Sequence, residues 1–207
     1  MPFHLVTTSD PNLRSKSKKN LFLGSWCVSY KEQISKEGKN YDYVTPKSID
    51  KKTLDEDHDK SIYYFNKIFK EVVYILNNHH DEKFSERQWM IMIGKYIYEF
   101  ICLVINRYDN LERAIKNNEI ESSSFYNIDH YDLSCNDCAN FHEICDKNLW
   151  NNAIYFKLLN YLDNNTPMST YKSEVTIKLS DDNAPRYPYL YLTGHGNINL
   201  MTMKSLL

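Results

Sequence analysis

The sequence lacks the glycine-rich signatures of the common nucleotide-binding and hydrolase sites. Its 207 residues include only five glycines, and these form no Walker loop, no Gly-x-Gly-x-x-Gly and no Gly-x-Ser-x-Gly. No Ser/His/Asp set with a recognisable spacing is present either. Signatures of this kind therefore name no activity for the chain.

The sequence also lacks an excess of charge and an export signal. Its 25 basic and 27 acidic residues leave a net charge of −2, which argues against nucleic acid as a partner. The first twenty residues contain no apolar run, so we expect no signal peptide. Five cysteines, an odd number, are typical of reduced thiols. We expect a cytoplasmic protein, with a peripheral position at the inner membrane face as an alternative.

The longest apolar run predicts a helix over residues 86–111. Ser85 and Gln88 before and within its first turn have the spacing of a capping box. Phe84 and Trp89 have the spacing of a hydrophobic staple. Apolar residues then recur at three- and four-residue steps, and others lie off that stripe. The run therefore predicts a central helix that is buried on most of its sides.

A membrane span is the rival interpretation of the same run. Lys95 and Glu99 lie in its middle, and each would cost about 2.5–3.5 kcal/mol at the centre of a bilayer. Because they are four residues apart, they can instead lie over one another on one exposed edge of a helix. We therefore expect no transmembrane segment.

The rest of the chain alternates short strands with helices, which predicts an α/β fold. Strands are predicted at residues 2–8, 21–23, 41–46, 174–179 and 187–193. One further helix is predicted around an apolar stripe from Ile62 to Leu76, after the acidic residues 55–59, and another over 146–162. The basic segment 14–20 predicts a solvated loop, and the polar stretch 119–124 a loop or a frayed helix.

The second predicted strand runs directly into a candidate ligand loop. Its residues are Gly24, Ser25, Trp26 and Cys27. Ligands of open α/β sheets bind at the carboxyl ends of the strands, and a glycine there allows close approach of the backbone. The alternative is a plain strand-to-helix turn with Trp26 packed in the core.

Two more candidates lie beside the start of the central helix. Arg87 in its first turn could offer a fork of donors to a phosphate or a carboxylate, next to the Gly24 loop if the two converge. His80 just before it is a weaker acid/base candidate. Neighbouring His79 and His80 cannot share one helix face as metal ligands do. The alternative for both histidines is a place in a loop or a helix cap.

One short segment has the inventory of a zinc site. Cys135, Cys138, His142 and Cys145 supply four suitable ligands within eleven residues. Their spacing is tighter than that of usual zinc loops, and no glycine eases the chain around an ion. We therefore expect no bound metal, and the alternative is a small zinc-stabilised module.

Three stretches together resemble the N-terminal part of a transferase family associated with O-antigen and other surface-polysaccharide gene clusters in bacteria. The resemblance extends over about residues 3–162, with two departures: Ser25 stands where the family usually has an acidic residue, and Lys95 where it has proline. The stretches are Leu5–Asp10 with Leu21–Cys27, Ser85–Trp89 with Ile91, Ile93, Gly94 and Asn106–Tyr108, and Asp146 with Trp150 and Asn151.

The resemblance implies a two-lobed, glycosyltransferase-like enzyme. This chain would be its acceptor-side lobe, a Rossmann-like parallel-sheet α/β lobe over residues 1–165 with an incomplete two-strand extension over 166–207. The full-length enzyme would take a sugar nucleotide as donor and a glycan or lipid-linked acceptor, with Trp26 offering a flat face to a sugar. This chain alone would be truncated and inactive, and would bind no cofactor. The alternative is a non-enzymatic binding or scaffold domain of the same pathway.

Overall fold

A computed structural model of the protein describes residues 2–28, 41–128, 135, 137–163 and 165–172. The strands are β1 (Phe3–Val6), β2 (Asn20–Phe22), β3 (Tyr41–Tyr43), β4 (Ile120–Asn127) and β5 (Met168–Lys172). The helices are α1 (Lys51–His80), α2 (Glu86–Asn117), α3 (Cys138–Ile144) and α4 (Asn148–Leu162). Short 3-10 turns cover Pro11–Leu13 and Ser25–Cys27. The strands predicted at 174–179 and 187–193 lie outside the described residues.

The five strands form one parallel sheet in the order β3-β2-β1-β4-β5. Leu5 at the centre is paired with Leu21 of β2 on one side and with Ser123 of β4 on the other. The strands β2 and β3 follow β1 on one side of the sheet, and β4 and β5 lie on its other side. The predicted α/β, Rossmann-like fold is confirmed, and β1 and β4 enclose the point at which the strand order reverses.

The chain divides into two compact units. Among the described residues, the first unit comprises those up to Lys47 and those from Asn106 onwards, and the second comprises Ser48–Ile105. The division falls within α2. The domain boundary expected at residue 165 stays a prediction, although β5 begins after it and pairs with β4.

The prediction of a loop or frayed helix over residues 119–124 is wrong. This polar stretch begins β4, which lies between β1 and β5. The hydroxyl of Ser123 is fully buried and donates to the Leu5 carbonyl at 2.9 Å. A buried serine is acceptable in a strand when its hydroxyl is paired in this way, so a polar sequence can form the middle of a sheet.

In the first unit α4 packs on β4 through its buried aromatic and aliphatic side chains. The rings of Phe125 and Phe156 are 5.3 Å apart, and Trp150 and Tyr155 are 2% and 1% exposed. The helix predicted over 146–162 is confirmed, with Leu162 as its last residue. Its buried side chains cover one face of the sheet beside the strand-order reversal.

The second unit contains a hairpin of α1 and the first part of α2. Asp50 caps α1 by accepting the Thr53 N–H at 2.9 Å, so the acidic residues 55–59 lie inside the helix and not before it as predicted. The predicted stripe is buried except for Ile62, which is 38% exposed. The buried residues of the hairpin are Phe65, Phe69, Val72, Val73, Leu76, Trp89, Ile97, Ile101 and Ile105.

The start of α2 follows its sequence signals. The Ser85 hydroxyl accepts the Gln88 N–H, and the side-chain Oε1 of Gln88 accepts the Ser85 N–H at 2.8 Å, so the capping box is confirmed. The rings of Phe84 and Trp89 are 5.6 Å apart, as a staple requires. Lys95 and Glu99 also form the expected ion pair, at 3.8 Å.

The burial expected of α2 is only partly present. A π-helical turn at Met90–Gly94 follows the first turn, and it exposes Met90, Ile91 and Met92, with Ile91 78% exposed. The expectation of a helix covered on most sides is therefore wrong for this turn. A π turn holds more residues than an α turn, and these side chains within it lie off the apolar stripe. The stripe resumes after the turn, where Ile97 and Ile101 are buried.

Within the described part of the chain, α2 is also long and apolar enough to cross a membrane. One third of its most apolar stretch is buried. A single helix of this kind is weak evidence for a span, because the core helix of a soluble protein passes the same test. The expected absence of a transmembrane segment stays a prediction.

His4 makes the stability of the first unit dependent on pH. Its Nε2–H donates to the Leu13 carbonyl at 3.0 Å, which leaves Nδ1 to accept from the Ser122 hydroxyl at 3.0 Å. Burial lowers the pKa of His4, and the Lys18 ammonium lowers it further, against the effect of the Leu13 carbonyl.

Because the folded protein holds His4 neutral, its contribution to stability is complete above the ordinary histidine pKa of about 6.5 and is lost as pH falls below it. We expect the urea midpoint of unfolding to fall between pH 7.5 and pH 5.5. A His4→Gln variant, which keeps a donor and an acceptor, should lose part of that fall. An identical pH dependence in both proteins would contradict the assignment.

Candidate functional site

The carboxyl ends of β1, β2 and β4 form one polar edge of the sheet, which we call the switch-point edge. It is made of the segments 7–10 and 24–27 together with Tyr126, Asn148 and Asn152. All of them belong to the first unit. In open parallel sheets ligands bind outside the carboxyl ends of the strands at the place where the strand order reverses. This edge is therefore the candidate functional site.

Asp10 ties the end of β1 to the end of β4. One of its carboxylate oxygens accepts the Asn12 N–H at 2.9 Å, and the other accepts the Tyr126 hydroxyl at 2.8 Å. Burial raises the pKa of Tyr126, and the hydrogen bond to the Asp10 carboxylate raises it further. The phenol therefore stays protonated and holds the two strand ends together.

The first turns of α4 connect the same two strand ends. The Asn148 amide exchanges hydrogen bonds with Ser9, at 3.1 Å from the Ser9 hydroxyl to Oδ1 and 2.8 Å from Nδ2 to that hydroxyl. Asn152 Oδ1 accepts the Tyr126 N–H at 2.8 Å. Because they are four residues apart, both asparagines lie on one face of α4. That face spans the gap between β1 and β4.

The predicted ligand loop after β2 lies beside the loop after β1. The indole Nε1–H of Trp26 donates to the Thr7 carbonyl at 3.2 Å, and 47% of the Trp26 surface is exposed. Trp26 is therefore not packed in the core, and much of its ring can meet a ligand. Ser25 is exposed too. Gly24 lies directly under the six-membered ring of the indole, where a Cβ atom would stand 2.1 Å from the nearest ring carbon.

Cys27 is the buried member of that loop. Its thiol donates to the Val6 carbonyl at 3.3 Å, and burial raises the pKa of the Cys27 thiol to about 12. A thiol with that pKa forms almost no thiolate at neutral pH, so it cannot act as a nucleophile. Cys27 anchors the loop to β1 instead.

The basic segment 14–20 predicts a solvated loop, but the Arg14 side chain in it contacts other parts of the protein. Its guanidinium donates to the carbonyls of Ser9 and Cys27 at 3.3 and 3.2 Å, and lies 5.2 Å from the centre of the Phe22 ring. The guanidinium thus holds the loops after β1 and β2 together. Its positive charge therefore interacts with backbone carbonyls and an aromatic ring of the protein itself.

His80 and Arg87 belong to the second unit. His80 is the last residue of α1, and its ring lies 6.2 Å from that of Trp89. Arg87 is exposed in the first turn of α2. The expected approach of Arg87 to the Gly24 loop, which belongs to the first unit, stays a prediction, and so does the acid/base role of His80.

The cysteine-rich segment forms a capped helix. Asp137 caps α3 by accepting the Asn140 N–H at 2.8 Å, and Cys138 is its first residue. Burial raises the pKa of Cys145. In the described ranges, which include Cys135, Cys138, His142 and Cys145, no three His, Cys, Asp or Glu side chains come together to hold a metal ion.

Two of the stretches that carry the family resemblance meet next to this site. Arg107 Nε donates to Asn151 Oδ1 at 3.1 Å, and Arg107 Nη2 lies 3.9 Å from the Asp146 carboxylate. Asn151 Nδ2 in turn donates to the Cys145 carbonyl at 2.7 Å. These contacts fix the start of α4, and through it the position of Asn148.

The sequence indicates the loop after β2 but not the rest of the edge, which is Thr7–Asp10 with Tyr126, Asn148 and Asn152. The polar run Thr7–Asp10 directly after the first predicted strand is the signal that could have indicated the loop after β1. The other residues depend on recognising β4, whose polar sequence hides it.

One of the comparisons with known proteins identifies a transferase family. No curated protein and no solved structure matches the chain. One family model, described as LIC12162 family transferase, matches residues 3–188, which is most of the sequence and contains the entire switch-point edge. The chain therefore belongs to the LIC12162 family of transferases.

Proposed function

We propose that this chain is the acceptor-side lobe of a glycosyltransferase that assembles bacterial surface polysaccharide such as O-antigen. The full-length enzyme would be two-lobed, would use a sugar nucleotide as donor and would act on a glycan or lipid-linked acceptor. It would work in the cytoplasm or peripherally at the inner membrane face. This chain would bind no cofactor and would be inactive alone. In this proposal Arg87 is an anion contact and His80 a weaker acid/base group.

The observation that carries the proposal is the chemistry of the switch-point edge. Hydroxyl, amide and carboxylate groups surround the ends of β1 and β4, and the half-exposed indole of Trp26 lies beside them. Sugars present hydroxyls around a ring with apolar faces, and such groups and an aromatic face are their complement. Membership of a transferase family supports a group-transfer reaction.

A non-enzymatic binding domain is the second candidate. The Asp10 carboxylate is already engaged by two donors, and the Cys27 thiol is too weakly acidic to attack a substrate. Both features favour binding over chemistry at this edge. The glycosyltransferase lobe and the binding domain would both bind a glycan. They differ in whether the full-length protein also consumes a sugar-nucleotide donor.

Calorimetric titration with sugar nucleotides, together with a glycan array, tests the proposal. We expect this chain to retain bacterial surface glycans on the array and to bind neither UDP- nor dTDP-sugars in the micromolar range. A Trp26→Ala variant, with the indole removed, should lose the array signal. Micromolar binding of a sugar nucleotide would overturn the acceptor-side assignment. Release of nucleoside diphosphate by this chain would overturn the binding-domain candidate and also the proposal that this lobe is inactive alone.

A further inference from the structure

Two buried polar groups of the switch-point edge have no hydrogen-bond partner within the described part of the protein. They are the Thr8 hydroxyl and the Asn152 side-chain Nδ2, and both residues are 1% exposed. A buried group without a partner costs about 1–3 kcal/mol of stability, and most buried polar groups are therefore paired. Two such groups on the elements that meet at one strand-order reversal indicate that the edge has a purpose other than stability.

Their placement is fixed by the neighbouring hydrogen bonds. Because Asn152 Oδ1 accepts the Tyr126 N–H, the assignment of its amide is determined, and Nδ2 is the end left over. Thr8 follows Thr7, whose carbonyl accepts the Trp26 indole N–H. One group therefore stands at the end of β4, and the other stands at the end of β1, in the residue after the carbonyl that accepts the indole N–H.

The charges at the edge favour a neutral ligand. The Arg14 guanidinium donates to two backbone carbonyls and lies over a ring. The Asp10 carboxylate would repel a phosphate or a carboxylate. An amide N–H donor and a hydroxyl that both donates and accepts suit hydroxyl groups instead.

The contact between Ser9 and Asn148 joins the loop after β1 to α4. These hydrogen bonds are exposed, and Asn148 lies one helical turn before Asn152 on the same face of α4. A hydroxylated ligand can replace exposed hydrogen bonds of this kind at little cost in free energy, because it offers the same groups. Opening this contact would free the Asn148 side chain, which lies on the same face of α4 as Asn152.

We propose that Thr8 and Asn152 form the polar end of a subsite for a ligand with a neutral, polyhydroxylated ring. The face of the ligand ring lies on the Trp26 indole. The Thr8 hydroxyl and the Asn152 amide hydrogen-bond to two hydroxyls of the ring after the Ser9–Asn148 contact opens. This inference deepens the proposed function and rests on it for the class of ligand. It assigns residues that sequence reasoning did not reach.

The test measures binding and stability on the same variants. Methyl β-glucoside, methyl β-galactoside and N-acetylglucosamine are titrated into the protein, and the Trp26 indole N–H signal is followed by NMR after assignment with Trp26→Phe. Inorganic phosphate serves as the anionic probe. We expect at least one sugar to shift this signal and phosphate not to shift it. Thr8→Val and Asn152→Asp should each weaken the binding at least tenfold.

The urea midpoint separates a binding role from a structural one. Thr8→Val removes a hydroxyl without a partner, so the midpoint should stay or rise. Thr166→Val is the matched control: the Thr166 hydroxyl is buried, donates to Asp163 and lies before β5, away from the edge. Its midpoint should fall while sugar binding is unchanged.

Asn152→Asp keeps an acceptor for the Tyr126 N–H and removes the amide donor. Because it also buries a carboxyl group, its urea midpoint should fall, and its sugar binding is measured under conditions in which it is fully folded. It tests the subsite if Thr8→Val fails to fold. Unchanged sugar binding in both variants would overturn the inference, and so would binding of phosphate in place of sugar. If no sugar shifts the Trp26 signal, the subsite is wrong. The proposed function is then judged separately by the sugar-nucleotide titration and the array.

Discussion

Replacement of Asn77 by alanine is expected to lower the free energy of unfolding by about 3 kcal/mol, because one side chain closes the turn between α1 and α2. Asn77 Oδ1 accepts the Trp89 indole N–H at 2.9 Å and the Phe84 N–H at 3.1 Å. Its Nδ2 donates to the Phe84 carbonyl at 2.9 Å. Trp89 is 1% exposed, so its indole N–H cannot find water when the amide is removed.

Urea unfolding followed by circular dichroism and by tryptophan fluorescence measures this loss. The matched control is Asn78→Ala, because Asn78 is the next residue of α1 and is exposed. Its effect should stay within about 0.5 kcal/mol, as is usual for surface positions. Equal losses for the two variants would show that the Asn77 amide contacts are not responsible, because alanine is a better helix former than asparagine at both positions. A loss below about 1 kcal/mol for Asn77→Ala would contradict the prediction outright.

The hairpin shows which part of the fold local sequence can determine. Ser85 and Gln88, and Phe84 and Trp89, interact within one turn of each other, so their spacing alone predicts the contact. The Asn77 contacts join residues seven and twelve apart across a turn. No repeat or spacing rule identifies them, and the sequence only indicates that a helix ends nearby.

The sheet shows the opposite case. Ser123 of β4 finds its partner Leu5 at a separation of 118 residues, and Ser9 finds Asn148 at 139. A serine-rich segment has a polar sequence pattern, and it can be recognised as a buried strand only when the long-range partner of each hydroxyl is known. Missing β4 also concealed the strand-order reversal, because that reversal exists only once β4 lies next to β1.

For the candidate site the sequence therefore indicated one loop of two. Gly24 and Trp26 follow an apolar strand and could be recognised locally. Thr8 and Asn152 carry no local sign of their role, because an unpartnered polar group is defined by what surrounds it. The residues that best suggest a ligand are thus ones that only the folded chain reveals.

A Gly24→Ala substitution tests whether the indole position at this site matters for binding. The backbone of Gly24 is extended and open to any residue, so the constraint is purely steric. A methyl group there would stand 2.1 Å from Cζ3 of Trp26. The indole must swing away and lose its hydrogen bond to the Thr7 carbonyl. We expect a stability loss of about 1–3 kcal/mol, a shifted Trp26 indole N–H signal, and sugar binding weakened more than about tenfold.

Gly94→Ala is the control that separates this effect from the loss of a glycine as such. Its Cβ would meet the Met90 Sδ at 2.5 Å, and a thioether at the end of a flexible side chain can move aside. Alanine is also favoured over glycine in a helix by about 1 kcal/mol. The free energy of unfolding should therefore stay the same or rise, with sugar binding unchanged. Gly24→Ala could instead leave both the indole signal and the sugar binding unchanged. That result would show that the position of the Trp26 indole does not depend on Gly24, and it would contradict the prediction.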